Sequence, residues 1–141
     1  MKTHVFRTLR MVLILGLWGL PIAGSASPQT AECPVLESNG WNAWLKDIPG
    51  MSTPALHIAG QIVLPSPGYR ISIVPGPLDR MNPPSQRFVL VASPPKEMVP
   101  QVISTMEVSA QFPGLSSGYN SVFVVCGTQA IAPKLSVEDL R

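Results

Sequence analysis

The sequence predicts an all-β protein: a small disulfide-stapled β-sandwich of immunoglobulin-like or Greek-key type, with one short N-terminal helix. Stretches of alternating apolar and polar residues recur, separated by turn signals at intervals of about 8–12 residues. Prolines are abundant, with 16 in 141 residues, and proline ends helices and is confined to turns and strand edges. Two cysteines lie far apart in the chain, which favours one long-range cross-link.

The first 26 residues have the features of a cleaved secretory signal peptide. Lys2, Arg7 and Arg10 form a positive segment, residues 11–23 are apolar, and small residues lead up to Ala26. The apolar stretch of about 13 residues is too short to span a membrane comfortably, since spanning needs about 20. We therefore expect cleavage after Ala26, a secreted or periplasmic location, and no membrane insertion after cleavage.

Removal of this leader changes the charge balance. Seven basic and eight acidic residues follow residue 26, so the formal charge of the mature chain is −1. A nucleic-acid-binding protein needs a basic patch on its surface. We therefore expect no nucleic-acid partner. The remaining chain of about 115 residues suits one domain.

Cys33 and Cys126 both lie in the mature part of the chain. In an oxidising compartment, such a pair is expected to form a disulfide. The alternative is a reactive or metal-binding thiol, but the sequence contains no Cys-x-x-Cys motif that would favour it. The bridge would make residues 27–141 one domain, with residues 27–55 as a lead-in that contains the helix and residues 56–141 as the sandwich.

The helix is predicted from apolar residues at positions i, i+3, i+4 and i+7, with a Pro-Gly pair as its end. These residues are Trp41, Trp44, Leu45 and Ile48. The spacing places both tryptophans on one stripe, which favours a core plug that covers one end or edge of a sheet. The alternative is an aromatic ligand platform, for example for a carbohydrate.

The other elements are predicted strands. Residues 56–64 and 69–74 alternate in the manner of strands that could form an antiparallel hairpin. Residues 87–92 are apolar on both faces, which indicates a central strand. Residues 99–112 carry one or two strands, in which Val102 shares the parity of the core-facing positions. Residues 121–126 form the clearest strand, and a short loop at 127–129 returns the chain along residues 130–137.

Residues with catalytic or metal-binding chemistry are sparse. His57 is the only histidine after residue 26, and it lies in a predicted strand, out of phase with its apolar face. A Ser-His-Asp hydrolase needs a histidine held by an acid, and the Gly-x-Ser-x-Gly motif of many hydrolases does not occur. We predict no catalytic residues, no metal ligands and no cofactor, hence a protein that is not an enzyme.

The best predicted recognition surface is the loop of residues 75–86, which contains four prolines. Its middle combines polar and soft apolar side chains: Leu78, Asp79, Arg80, Met81 and Asn82. A stiff loop loses little entropy on binding. The sequence therefore predicts an exported, non-catalytic binding module that presents this loop to a protein partner. The alternative that the loop is only a rigid connection stays open.

Other functions stay open as well. A carrier of a small lipophile or sugar would use the helix with Trp41 and Trp44 as the lid of an apolar cavity. A protease inhibitor ranks third and a hydrolase last. The oligomeric state does not follow from the sequence.

One resemblance supports the inhibitor alternative. Pro67-Gly68-Tyr69 precedes an alternating strand, and Tyr119 precedes a valine-rich strand. This arrangement resembles small bacterial β-sandwich inhibitor or regulator domains of the chagasin-like and PrcB-like type. The resemblance, over residues 64–126, implies binding through loops at one end of the sandwich. Where those domains have a Thr-Gly-Gly-Tyr-like element, this chain has Ser66-Pro67-Gly68-Tyr69, so no functional residue is carried over.

Overall fold

A computed structural model describes residues 32–141, which form two four-stranded sheets packed face to face. The predicted signal peptide, residues 1–26, lies outside the described residues. The strands are β1 (Glu37–Lys46), β2 (Ala55–Leu64), β3 (Arg70–Leu78), β4 (Ser85–Ser93), β5 (Ser104–Pro113), β6 (Ser121–Cys126), β7 (Gln129–Leu135) and β8 (Val137–Asp139). The prediction of an all-β sandwich is confirmed.

The strand order is β5-β2-β1-β8 in one sheet and β3-β4-β6-β7 in the other. β1 and β8 pair in parallel, and so do β4 and β6 at the centre of the second sheet. The sheets of an immunoglobulin domain are described as antiparallel, and the central parallel pair differs from that arrangement. The class confirmed here is therefore the wider one, a two-sheet β-sandwich.

The predicted N-terminal helix is wrong. Residues 37–46 form β1, which pairs with β2 from Glu37 to Lys46 and has a register shift between Asn39 and Asn42. Two-turn helices have little stability of their own, because nucleation is costly. Pairing with β2 on one side and β8 on the other satisfies the backbone of this segment instead. The segment assigned to a lead-in therefore supplies a central strand of the sandwich.

The suggested hairpin between the first two predicted strands is also wrong. β2 and β3 belong to different sheets, so the connection of residues 65–69 crosses from one sheet to the other. The hairpins that form are β1–β2, β3–β4 and β6–β7. The last of these, and the central place of β4, agree with the sequence prediction.

The core lies between the two sheets, because every second side chain of a strand points toward the opposite sheet. β2 shows this most clearly, because Leu56, Ile58, Ile62 and Leu64 are all buried. The opposite sheet contributes Phe88, Leu90, Val122 and Val124. Period-two burial is the pattern expected when each sheet has one face on the core.

The predicted disulfide is confirmed. Cys33 and Cys126 are bonded, with their Cα atoms 5.3 Å apart and a sequence separation of 93. Cys126 ends β6 and is buried, so the bridge fixes the segment before β1 onto the second sheet. Within residues 32–141, no helix long and apolar enough to cross a membrane is present.

Candidate functional site

The five predicted loop residues lie together at one end of the β3–β4 hairpin. We call Leu78, Asp79, Arg80, Met81 and Asn82 the tip; all five are exposed. β3 is longer than predicted and runs to Leu78, so the proline-rich segment is partly strand. The connection between the strands is only residues 79–84.

Asp79 organises the tip through hydrogen bonds to the backbone. Its Oδ1 accepts from the N–H groups of Ser85, at 2.8 Å, and Met81, at 3.0 Å. The Asp79 N–H in turn donates to the Ser85 carbonyl at 3.0 Å. The hydrogen bond from the Ser85 N–H is the largest influence on the carboxylate, and it lowers the pKa of Asp79 below its ordinary value. The ionised side chain therefore holds the loop in one shape.

A second loop braces the tip. Ser85 and Ser121 are paired in the parallel β4–β6 register, and their Oγ atoms hydrogen-bond at 2.9 Å in a buried position. The Asn120 N–H donates to the Pro84 carbonyl at 2.8 Å, and Asn120 Nδ2 donates to Ser85 Oγ at 3.3 Å. These bonds connect the tip to a central strand of the sheet. They could not be predicted from sequence, because the two loops are about 35 residues apart.

The outer surface of the tip combines large apolar side chains with one exposed arginine. Leu78 is 46% exposed and Met81 is 58% exposed. Arg80 lies between them in the chain and is also exposed. Only Oδ1 of Asp79 is engaged with the loop backbone. The tip therefore presents two large apolar groups, one guanidinium, one amide and the second oxygen of the exposed Asp79 carboxylate.

The predicted aromatic site is divided between the two faces of β1. Trp41 packs against the core, and its ring lies over Gly60. Trp44 lies on the outer face and stacks on His57, its partner in the β1–β2 register, with ring centroids 5.2 Å apart. Positions three apart in a strand face opposite ways. The prediction that the two rings share one stripe is therefore wrong.

The outer face beside Trp44 is a shallow, open surface. A trough of about 310 Å³ runs along it, lined by Trp44, His57, Ile58, Ser109, Ala110 and Gln111. The lid that would enclose a cavity, the Trp-containing helix, is not formed. Trp41 is turned away from this surface, so Trp44 and His57 are the aromatic groups available there.

Sequence reasoning missed an apolar loop at the other end of the sandwich. Residues 94–103 connect β4 to β5, and they expose Met98, Val102 and Ile103. Val102 was expected in a strand, facing inward, but β5 begins at Ser104. Pro100 is the signal that could have extended the loop as far as this segment.

Among residues 32–141, no three His, Cys, Asp or Glu side chains are grouped so that they could hold a metal ion. His57 is half-buried against Trp44. The arrangement on the described surface offers hydrogen bonds, apolar contact and one exposed guanidinium at the tip. These are the elements of recognition between surfaces.

Fold and site together define a class, a small disulfide-linked β-sandwich that presents a braced loop at one end. No protein-family model matches the chain, and comparisons with curated protein sequences and with solved structures give no significant match.

Proposed function

We propose that this protein is an exported, non-catalytic interaction module that recognises a protein partner through the tip. One observation carries the proposal: the tip holds two exposed large apolar side chains and an arginine on a loop that its own hydrogen bonds have already ordered. Methionine and arginine are enriched at protein interfaces. Arginine is also enriched among the few interface residues that carry most of the binding energy.

The order of the tip supports tight recognition. A loop that becomes ordered on binding loses conformational entropy, whereas a loop held in advance does not. Asp79 and Asn120 hold the tip to β4 and the neighbouring loop. The complementary partner surface is an apolar groove for Leu78 and Met81, bordered by a carboxylate for Arg80.

Export is part of the proposal. The leader of residues 1–26 has the composition of a signal peptide, and the Cys33–Cys126 bond is consistent with an oxidising compartment. We therefore place the protein in the periplasm or outside the cell. Nucleic acid and membrane insertion are not part of the proposed function.

The alternatives rank below this one. A small-ligand carrier would use Trp44 and His57, on an open trough rather than under a lid. A protease inhibitor of the type that the resemblance implies would also bind through loops at one end, and the tip is suited to that role. A hydrolase ranks last, because the proposal assigns no nucleophile or base.

The test is site-specific cross-linking in the natural compartment. A photo-reactive amino acid in place of Asn82 is expected to cross-link a discrete protein partner. The double variant Leu78→Ser/Met81→Ser is expected to reduce the yield about tenfold, since two large apolar side chains would no longer be buried against the partner, and each such burial stabilises by about 1.5–3 kcal/mol when it is complete. The readout is the amount of cross-linked partner, by immunoblot and mass spectrometry.

Two controls keep the result specific. Met51 is exposed to the same extent as Met81, 58%, so Met51→Ser removes as much exposed apolar surface as Met81→Ser does and is expected to leave the yield unchanged. The same photo-reactive group at Thr128, at the opposite end of the second sheet, is expected to miss this partner. Equal yields from Asn82 with and without the double substitution would refute recognition by the tip.

A further inference from the structure

A sheet edge is a ready template for another strand, and natural proteins protect their edges. The two sheets have four edge strands among residues 32–141: β3, β7, β8 and β5. Three of them are protected. β3 contains Pro75 and Pro77 and has a register shift beside them. β7 contains Pro133 and follows an irregular register with β6. β8 has only three residues.

β5 has none of these protections. It has ten residues and pairs with β2 along its whole length, from Ser104 to Pro113, without a register shift. Its only proline is its last residue, and its only charged residue is Glu107. Within the described part of the chain, nothing pairs with its outer edge. A regular strand of this length exposes a full row of backbone donors and acceptors on that side.

Apolar side chains at the start of this edge remain exposed. Ile103 is 68% exposed and Val102 is 58% exposed, and both directly precede β5. At the other end of the strand lie Phe112, half-buried, and Pro113. In an antiparallel pair, the start of β5 in one copy lies beside the end of β5 in the other. Such apolar contacts would therefore form at both ends of the paired strands.

We propose that β5 pairs with β5 of a second copy of this chain, in antiparallel orientation, to form one continuous eight-stranded sheet across a two-fold axis. The self-pairing keeps like faces together: when a residue of β5 lies opposite itself, core-facing positions meet core-facing positions and outer positions meet outer positions. A two-fold axis produces this antiparallel arrangement. It uses the same edge of both copies, so the assembly closes as a dimer and does not grow into a filament.

The two registers that pair most of β5 are those centred on Val108 and on Ser109, and the single acid is compatible with both. A pairing centred on Glu107 places two carboxylates opposite each other, which is unfavourable. A pairing centred on Val108 places Glu107 opposite Ser109 of the second copy, and Ile103 opposite Pro113. A pairing centred on Ser109 places Glu107 opposite Gln111. In both of these registers, Glu107 faces an uncharged side chain. Neither register therefore brings like charges opposite each other, and β5 can pair with itself.

Substitutions at Ser109, which is exposed on the outer face, test this pairing. Ser109→Glu places like charges opposite each other in both the Val108-centred and the Ser109-centred register. By symmetry the Val108-centred register contains two such pairs, and we expect the dimer dissociation constant to rise about tenfold. Ser109→Lys lowers the constant if the pairing is centred on Val108 and raises it if centred on Ser109. The measurement is sedimentation equilibrium of the exported protein over a range of concentrations.

The matched control is Ser72→Glu, at an exposed position on the protected edge strand β3, and it is expected to leave the constant unchanged. Amide exchange of residues 104–112 is expected to slow as concentration rises. A protein that stays monomeric into the millimolar range overturns the proposal. So does a dimer that Ser72→Glu weakens while both Ser109 variants leave it unchanged, or a dimer whose β5 amides exchange at the monomer rate. This inference concerns self-association and is independent of the tip.

Discussion

The contact between Trp41 and Gly60 shows how much one atom matters in the sheet that contains β1. An added Cβ at Gly60 would lie 2.3 Å from Cδ2 of the Trp41 ring. The absence of a side chain at Gly60 is therefore what admits the indole to the core side of β1 and β2. The strand of residues 56–64, which contains Gly60, follows from the sequence, but no sequence pattern connects this glycine with Trp41.

Gly60→Ala is expected to destabilise the protein by about 1–3 kcal/mol, because the new methyl group overpacks against the indole. Urea denaturation followed by circular dichroism measures the free energy of unfolding. The double variant Gly60→Ala/Trp41→Leu is the control, since leucine leaves room for the methyl group. If the alanine costs as much beside leucine as beside tryptophan, the steric explanation is wrong.

At the scale of elements, the same pattern of residues supports two local structures. Trp41, Trp44, Leu45 and Ile48 have helical spacing, yet residues 37–46 form a bulged strand. The strand has Ala43 and Leu45 inward and Trp44 outward. Local periodicity cannot distinguish these outcomes over ten residues. The pairing partners β2 and β8 decide between them, and they come from later in the chain.

The tip is the element whose order depends on ionisation. Because the fold lowers the pKa of Asp79, the carboxylate contributes order above its unfolded pKa and loses that contribution as the pH falls through the lower folded value. We expect the amide proton shifts of Met81 and Ser85 to titrate together in acid, at a pH below the ordinary pKa of an aspartate.

NMR spectra recorded from neutral pH to about pH 2, below the usual carboxyl pKa range, measure this titration. Asp79→Asn keeps an oxygen acceptor but cannot ionise, so the Met81 and Ser85 shifts are expected to stay constant in that variant. A titration of equal size in Asp79→Asn would mean that another group controls the loop.

At the scale of the whole molecule, one covalent bond spans almost all of the described chain. The Cys33–Cys126 bond closes a loop of 93 residues and ties the segment before β1 to the end of β6. In the chain-entropy account, a cross-link of this length restricts the unfolded state strongly. The restriction raises the free energy of unfolding of this domain, whose core is a single layer between two sheets.

Replacing both cysteines, Cys33→Ser/Cys126→Ser, is expected to lower the free energy of unfolding by about 4 kcal/mol. Guanidinium denaturation of oxidised wild type and of the double variant measures the difference. Reduced wild type should match the variant, because both lack the bond. A loss below about 1 kcal/mol would show that the cross-link adds little beyond the packing of the sheets.

The sequence by itself determined the fold class, most strand positions, the disulfide and the place of the tip loop. These follow from local signals: period-two alternation, proline and glycine in turns, and the cysteine count. Residues 121–126, for example, were predicted as a strand and form β6.

Only the tertiary structure decided the conformation of residues 37–46, the assignment of β2 and β3 to different sheets, the bracing of the tip by Asn120, and the exposure of β5 as an edge. Each of these depends on which distant strand forms hydrogen bonds with the backbone of a segment or buries its side chains. That choice is made by pairing and burial across the whole chain, so no short stretch of sequence contains it.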